Sequence, residues 1–260
     1  DLFDDPVTQS VLSNITDAKI ILGPHEEGRF KQPSPVQIVA ELCHIVNNSN
    51  ESKYFAVTLG ANRAPIDAVR AIQNASSGKT GWAIAEYLYR FGHEVIVIAG
   101  KTSSPPTFEL PSIIRAATPD EMLSSCIDIA TSITKPDGWI HAAAVLDYFS
   151  EPIEIKKPSG AESWEIKLMP GSKHIAELQS YVSGARRIGF KLETGVKLDV
   201  LQTKANEQLK KYGVDATIGN LLEEINNPET PRAYLFTTEG MLPLDSMHDV
   251  CEAILNVLTE

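Results

Sequence analysis

The chain has 260 residues, 43% of them hydrophobic, enough for one sizeable core in a single domain and too many for a disordered protein. Its formal net charge of -11 lacks the basic footprint of a bulk nucleic-acid binder, so an anionic ligand must be held by a local cluster of donors. Three widely spaced cysteines, Cys43, Cys126 and Cys251, and six histidines without metal-site spacing suggest neither a disulfide framework nor a metal cage.

In chain order, the acidic start Asp1 to Asp5 is unlike a signal peptide, and no apolar run approaches the ~18 residues of a membrane span, so a cytoplasmic protein is expected. Residues 20–24 read as a short strand and turn, and 36–46 as a helix capped by Ser34 or Pro35. Residues 54–60 predict a strand, 78–91 a helix with Ile84, Leu88 and Phe91 on one face, and 94–99 a buried strand, together one βαβ unit. Residues 113–117 are the next strand, Thr118 caps a helix that opens on Pro119, Asp120 and Glu121, and 139–145 are a further strand. Between 149 and 169, Pro152, the alternating Ile153 and Ile155, and the run Lys156 to Gly160 read as an extended flap with a β-turn. Helix 173–181, strand 186–191, helix 197–212, strands 214–219 and 231–237 and a closing helix at 247–258 follow. The alternation implies an α/β fold, a doubly wound, mostly parallel, Rossmann-like sheet in one domain over residues 1–260. Ligands of such sheets bind at the carboxyl ends of the strands, so the loops after Leu59, Ala99 and Val145 should meet in one cleft.

The loop from Gly60 to Gly81 is the strongest anion signal. A strand that runs through a glycine-containing loop into a helix offers backbone N–H groups and the positive end of a helix dipole. Arg70, Asn74, Ser76, Ser77, Gly78 and Lys79 lie within it and add side-chain donors. Two familiar phosphate motifs are excluded: a P-loop ending at Gly78-Lys79-Thr80 needs Gly where Gln73 stands, and no G-x-G-x-x-G occurs. On loop sequence alone, a polar helix cap with solvated side chains fits about as well.

Four segments together resemble the phosphopantothenoylcysteine synthetase family. They are Ile66-Asp67…Arg70…Asn74-x-Ser76-Ser77-Gly78-Lys79-x-Gly81, Ala142-Ala143-Ala144-Val145-x-Asp147-Tyr148, Ile155-Lys156-Lys157, and Gly189-Phe190-x-x-Glu193-Thr194. Residues 5–7 and 21–29 also look like the stretch before this domain in enzymes fused to a flavin-dependent decarboxylase. The resemblance implies a ligase in coenzyme A biosynthesis that uses CTP, with Mg²⁺ on the triphosphate, to activate 4′-phosphopantothenate as an acyl-cytidylate before cysteine captures it. It implies a homodimer and a decarboxylase fused to or associated with the ligase, with no nucleic-acid or membrane partner. Asn74, Arg70 and Lys156 are implied catalytic residues, and Asn74, Arg70 and Lys157 substrate contacts. Gly60, Ser76, Ser77, Gly78, Lys79, Ala142, Ala143, Ala144, Asp147, Phe190, Lys204 and Lys211 are implied nucleotide contacts. Lys156 and Lys157 also read as a solvated hairpin face, and Lys204, Lys210 and Lys211 as the polar side of a helix.

The chain departs from the family pattern in places. Glu154 stands where the flap commonly carries a lysine, and Gln208 and Tyr212 stand where lysines counted back from Asp215 are expected. Ala64 replaces a common glutamate, and Met247-His248 a Ser-Lys pair. Two alternatives stay open: a diverged relative that activates another carboxylate, and an inactive nucleotide-binding or scaffold subunit.

Overall fold

The computed structural model describes residues 4–14, 21, 23, 25–151, 155, 156, 160 and 163–260. The strand expected at 20–24 therefore lies largely outside the described residues, as does Lys157. Helix α1 (Pro6–Ser13) is capped by Asp5, which accepts from Thr8 N at 3.0 Å. A two-residue hairpin of β1 (His25–Glu26) and β2 (Arg29–Phe30) precedes α2 (Pro35–Asn47), where Ser34 accepts from Gln37 N. The next elements are β3 (Tyr54–Leu59), β4 (Arg63–Pro65), β5 (Ala71–Gln73), α3 (Lys79–Arg90), β6 (Glu94–Ala99), β7 (Ile113–Arg115), α4 (Pro119–Ala130) and β8 (Gly138–His141). They are followed by β9 (Tyr148–Phe149), β10 (Met169–Pro170), α5 (His174–Glu177), a 3₁₀ turn at Leu178–Ser180, β11 (Arg186–Glu193) and α6 (Leu198–Tyr212). The chain closes with β12 (Ala216–Leu221), β13 (Ala233–Phe236), β14 (Met241–Leu244) and α7 (Met247–Thr259).

Eight strands form one sheet in the order β14-β13-β12-β11-β8-β3-β6-β7. The six from β7 to β12 are mutually parallel, while β13 joins β12 antiparallel and β14 joins β13 antiparallel. Taken in chain order, the parallel strands read 3-2-1-4-5-6 across the sheet, the doubly wound arrangement expected from the alternation. Helices cover both faces, which is why β3 and β6 are nearly continuous apolar runs. One core joins Phe55, Val57, Leu59, Ile140 and Ile188 to α3 and α7, and a second joins Trp139, Ile96 and Ile98 to α4 and Leu178. Among the described residues no helix is long and apolar enough to cross a membrane.

Packing sets the height of α3 over the sheet. A Cβ on Gly81 would meet Leu59 Cβ at 2.3 Å, so glycine at this position lets the first turn of the helix lie directly on β3. Gly78, at φ 79°, makes the left-handed bend that starts the helix. On the other side α2 is fixed to α3 by the His44 ring stacked on Tyr89, centroids 4.1 Å apart, and by the Tyr89 hydroxyl donating to Glu41.

Three expectations are corrected. The segment 60–78 is not a simple loop, because β4 and β5 pair as a hairpin, Arg63↔Gln73 to Pro65↔Ala71. The strand expected at 139–145 ends at His141, and Ala144 instead forms a parallel bridge with Ala61. Strand β14 was not expected; its apolar exposed Met241 and Leu242 and its Pro243 obscure the period-two pattern of an edge strand. The ends of the flap do pair, Tyr148↔Pro170 and Phe149↔Met169, while residues 152–154, 157–159 and 161–162, Glu154 among them, lie outside the described residues.

Candidate functional site

The strand order reverses between β3 and β8, so the crevice for a ligand opens there, at the carboxyl rim. The loops that follow these two strands are sewn together. Ala144 N donates to Gly60 O at 2.8 Å, Asn62 N to Ala144 O at 3.3 Å, and Ala61 exchanges backbone bonds with Lys101 after β6. Segments 60–81 and 142–147 thus share one rim, with the loop after β6 beside them.

Asn74 lies where the two loops touch. Its Nδ2 donates to Ala144 O at 3.0 Å and to Val145 O at 3.1 Å. Two carbonyl acceptors demand the NH₂ end of the amide, and those bonds use both of its hydrogens. Oδ1 is left over, so what this side chain can still offer is an acceptor. The loop then runs into α3, where Ser76 Oγ accepts from Gly78 N at 3.4 Å and Ser77 Oγ from Lys79 N at 3.3 Å. With those two amides taken by the hydroxyls and no side-chain cap from Gly78, the first turn keeps the positive end of the helix dipole, with Lys79 exposed beside it.

Arg70 arrives from the β4–β5 turn. Its Nη1 donates to Asp67 Oδ2 at 2.8 Å, and its Cζ stands 5.1 Å from the centre of the Trp164 ring. A cavity of about 250 Å³ opens beside this turn, lined by Ile66, Ser150, Trp164, Glu165, Lys167 and Met169 among others. A larger cavity of about 430 Å³, lined by Lys53, Lys135, Asp137 and Arg186, lies at the opposite rim. Volume alone would favour the second, but the topology and the convergent loops favour the first rim.

Ala142 and Ala143 follow β8 directly, and their small side chains keep the backbone accessible there. Asp147 pairs with Lys173, 3.0 Å away, and this hydrogen bond raises the lysine's pKa. Both side chains are more than half exposed, so the pair adds little stability and stays available to a ligand. Lys204 donates to Glu193 at 2.6 Å and Lys191 lies 3.2 Å from the same carboxylate, at the rim end of β11. Burial opposes ionisation of Glu193, yet the two lysines outweigh it and hold the carboxyl below its usual range. Phe190, half-buried, packs onto the core of β11 and α7. Lys156 is exposed on the flap.

Lys211 is not brought to this rim. It is in the last turn of α6, next to Tyr212, whose carbonyl accepts from buried Arg187 at the start of β11, so it stands at the opposite end of the sheet. The α6 lysine positions counted from Asp215 fail for the same reason. Gln208 bridges inward, accepting from Thr217 Oγ1 at 3.2 Å, and Tyr212 lies at the far end, whereas Lys204, nearer the helix start, reaches the rim.

Sequence reasoning assigned no role to four polar residues: Asp67, Asn62, His141 and His174. Asp67 is fully buried in the turn below Arg70; an Asp three residues before an Arg in a Pro-containing loop was the available signal, an Asx-turn. Asn62 is buried, with its amide donating to Thr118 O at 3.3 Å. His141 and His174 are held neutral, pushed down to about 3 and about 4, each mainly by burial.

An α/β domain whose loops after the first and fourth parallel strands meet at a 3-2-1-4-5-6 switch point belongs to the doubly wound, Rossmann-like class of folds, although it lacks the glycine fingerprint common in that class. The chain belongs to the family described as the DNA/pantothenate metabolism flavoprotein C-terminal domain, which it matches over residues 51–260. It is 33% identical to the coenzyme A biosynthesis bifunctional protein CoaBC of Thermococcus kodakarensis, over 88% of this chain and 57% of that protein. Its fold is similar to the DNA/pantothenate metabolism flavoprotein of Streptococcus pneumoniae, with a TM-score of 0.70 and 24% identity, over 79% of this chain and 97% of that one. It is likewise similar to the C-terminal domain of a CoaBC protein, with a TM-score of 0.64 and 25% identity, over 81% and 97% of the two chains. The chain spans about half the length of the curated relatives it matches.

Proposed function

We propose that this chain is a phosphopantothenate–cysteine ligase domain that works through an acyl-cytidylate. The observation that carries the reading is the Asn74 bridge between the loops after β3 and β8, which builds a single anion-receiving rim from the two motifs of the family. A carboxylate oxygen of 4′-phosphopantothenate bonds to the α-phosphorus of CTP as the bond to pyrophosphate breaks. The amine of cysteine then attacks the acyl carbon, a C–N bond forms, CMP leaves and the amine loses a proton.

Attack of one anion on another is slow because their charges repel, so the protein's task is to supply fixed donors where charge develops. The α3 amides with Gly60, Ser76, Ser77, Gly78 and Lys79 receive the triphosphate, and Lys204 adds a cation from α6. Ala142, Ala143, Ala144, Asp147 and Phe190 border the base, Arg70 receives an oxyanion of the acid, and Asn74 Oδ1 accepts from the acyl intermediate. Lys156, exposed on the flap, approaches the phosphates when it closes and helps keep water from the mixed anhydride. Mg²⁺ comes with the triphosphate as part of the substrate, since this ion keeps most of its waters and binds chiefly through phosphates. Among the described residues no three His, Cys, Asp or Glu side chains stand together to hold it. The active form is a homodimer, joined to or associated with a decarboxylase domain.

The test is pyrophosphate release with CTP, Mg²⁺ and phosphopantothenate, with and without cysteine, alongside ATP and a panel of other carboxylic acids. Pyrophosphate without cysteine and CMP only with it support the reading. Release with another acid alone points to a diverged relative, and nucleotide binding without release to an inactive subunit.

A further inference from the structure

We propose that Asp67 is a positioning residue, whose buried carboxylate fixes the Arg70 guanidinium at the rim to receive an oxyanion of the carboxylic substrate. The proposal rests on the reading of Arg70 as a substrate contact. Asp67 Oδ1 accepts from Val69 N at 2.8 Å and from Arg70 N at 2.7 Å, while Oδ2 accepts from Arg70 Nη1 at 2.8 Å. The backbone closes around it, with Ile66 N and Asp67 N both donating to Arg70 O. The Asp67 side chain is 0% exposed and that of Arg70 36%, so a buried anion anchors a cation that still reaches solvent. On its other side the guanidinium stacks over Trp164, so it is located from two directions.

The chemistry needs a carboxylate at this position. Three donors converge on it, and a carboxylate accepts all three in charge-assisted or backbone bonds, whereas the amide of Asn would turn an NH₂ toward one of them. An arginine without such a partner samples many rotamers, and ordering them opposes capture of the anion. Fixing the fork in advance is preorganisation, and it sets both affinity and the geometry of attack.

Serine separates the two roles of Asp67, because its hydroxyl can still accept from the backbone in the same kind of turn but cannot hold the guanidinium. The experiment compares the native chain, Asp67→Ser, Arg70→Gln and the double variant in steady-state pyrophosphate release, with phosphopantothenate and CTP varied separately. Asp67→Ser is expected to lower kcat/KM for the acid by roughly ten- to hundredfold while leaving KM for CTP unchanged. The double variant should be no slower than Arg70→Gln, because the aspartate acts through the arginine. An equal loss from Asp67→Ser in both backgrounds overturns the proposal, since that is the mark of a residue that only shapes the turn. If the serine variant does not fold, Asp67→Asn enters the same cycle with the same criterion. A native chain without turnover ends the ligase reading instead. The proposal is then decided by NMR of the ¹⁵N-labelled Arg70 side chain: slow guanidinium rotation in the native chain that quickens in Asp67→Ser supports it, and equal rotation in both overturns it.

Discussion

At Asn74 the fold and the proposed chemistry use opposite ends of one amide. Replacing it with Asp would set a carboxylate against the carbonyls of Ala144 and Val145, where two donors now stand. Asn74→Asp should therefore lose about 1–3 kcal/mol of stability in urea unfolding and most of its ligase rate. An unchanged rate removes Asn74 from the site. The buried histidines make a second prediction. His141 and His174 have folded pKa values of about 3 and about 4, and burial also lowers that of His93. Below pH ~6.5 the unfolded chain binds protons that the fold refuses, so stability is intact above that value and falls as pH drops toward the folded pKa values. Unfolding midpoints at pH 7.5 and 5.0 should differ, with about 2 kcal/mol lost for each of His141 and His174. Equal midpoints would mean that these rings charge as freely inside the fold as outside it.

The junction of β3 and α3 decides where the first turn of α3 sits. Gly81→Ala places a methyl group into Leu59, and the expected cost is about 1–3 kcal/mol of overpacking strain, with α3 shifted away from the rim. Leu59→Gly removes the Cβ that the methyl would meet, so the double variant should lose less than the sum of the two single losses, a non-additivity visible in denaturant unfolding. This junction was legible in the sequence, because the six apolar residues of β3, the Gly78 start and the apolar face of α3 are local signals. The β4–β5 hairpin was not. Its strands are three residues each, and it is held by the Asp67 turn and by pairing rather than by a period-two apolar pattern. Early termination of β8 is likewise a tertiary effect. Ala142 to Val145 continue the apolar run of β8, but the carbonyls of Ala144 and Val145 are drawn to Asn74 instead.

Across the whole molecule, the doubly wound sheet and the choice of rim followed from the alternation of strands and helices, which fixes where crossovers return. The reach of individual cations did not. Lys204 and Lys211 look equivalent on a helical wheel drawn without ends, and only the 15-residue length of α6 carries Lys211 to the opposite rim. The Lys211→Ala variant should therefore leave pyrophosphate release within a factor of about two, whereas Lys204→Ala should raise KM for CTP; a strong Lys211 effect would require its approach from another protomer. The central claim concerns which atom attacks which. Phosphopantothenate carrying ¹⁸O in its carboxylate, turned over with CTP and cysteine, tests it by mass analysis of the CMP. Attack on the α-phosphorus predicts one ¹⁸O in each CMP phosphate, while label appearing in pyrophosphate, in inorganic phosphate or nowhere among the nucleotide products would contradict it.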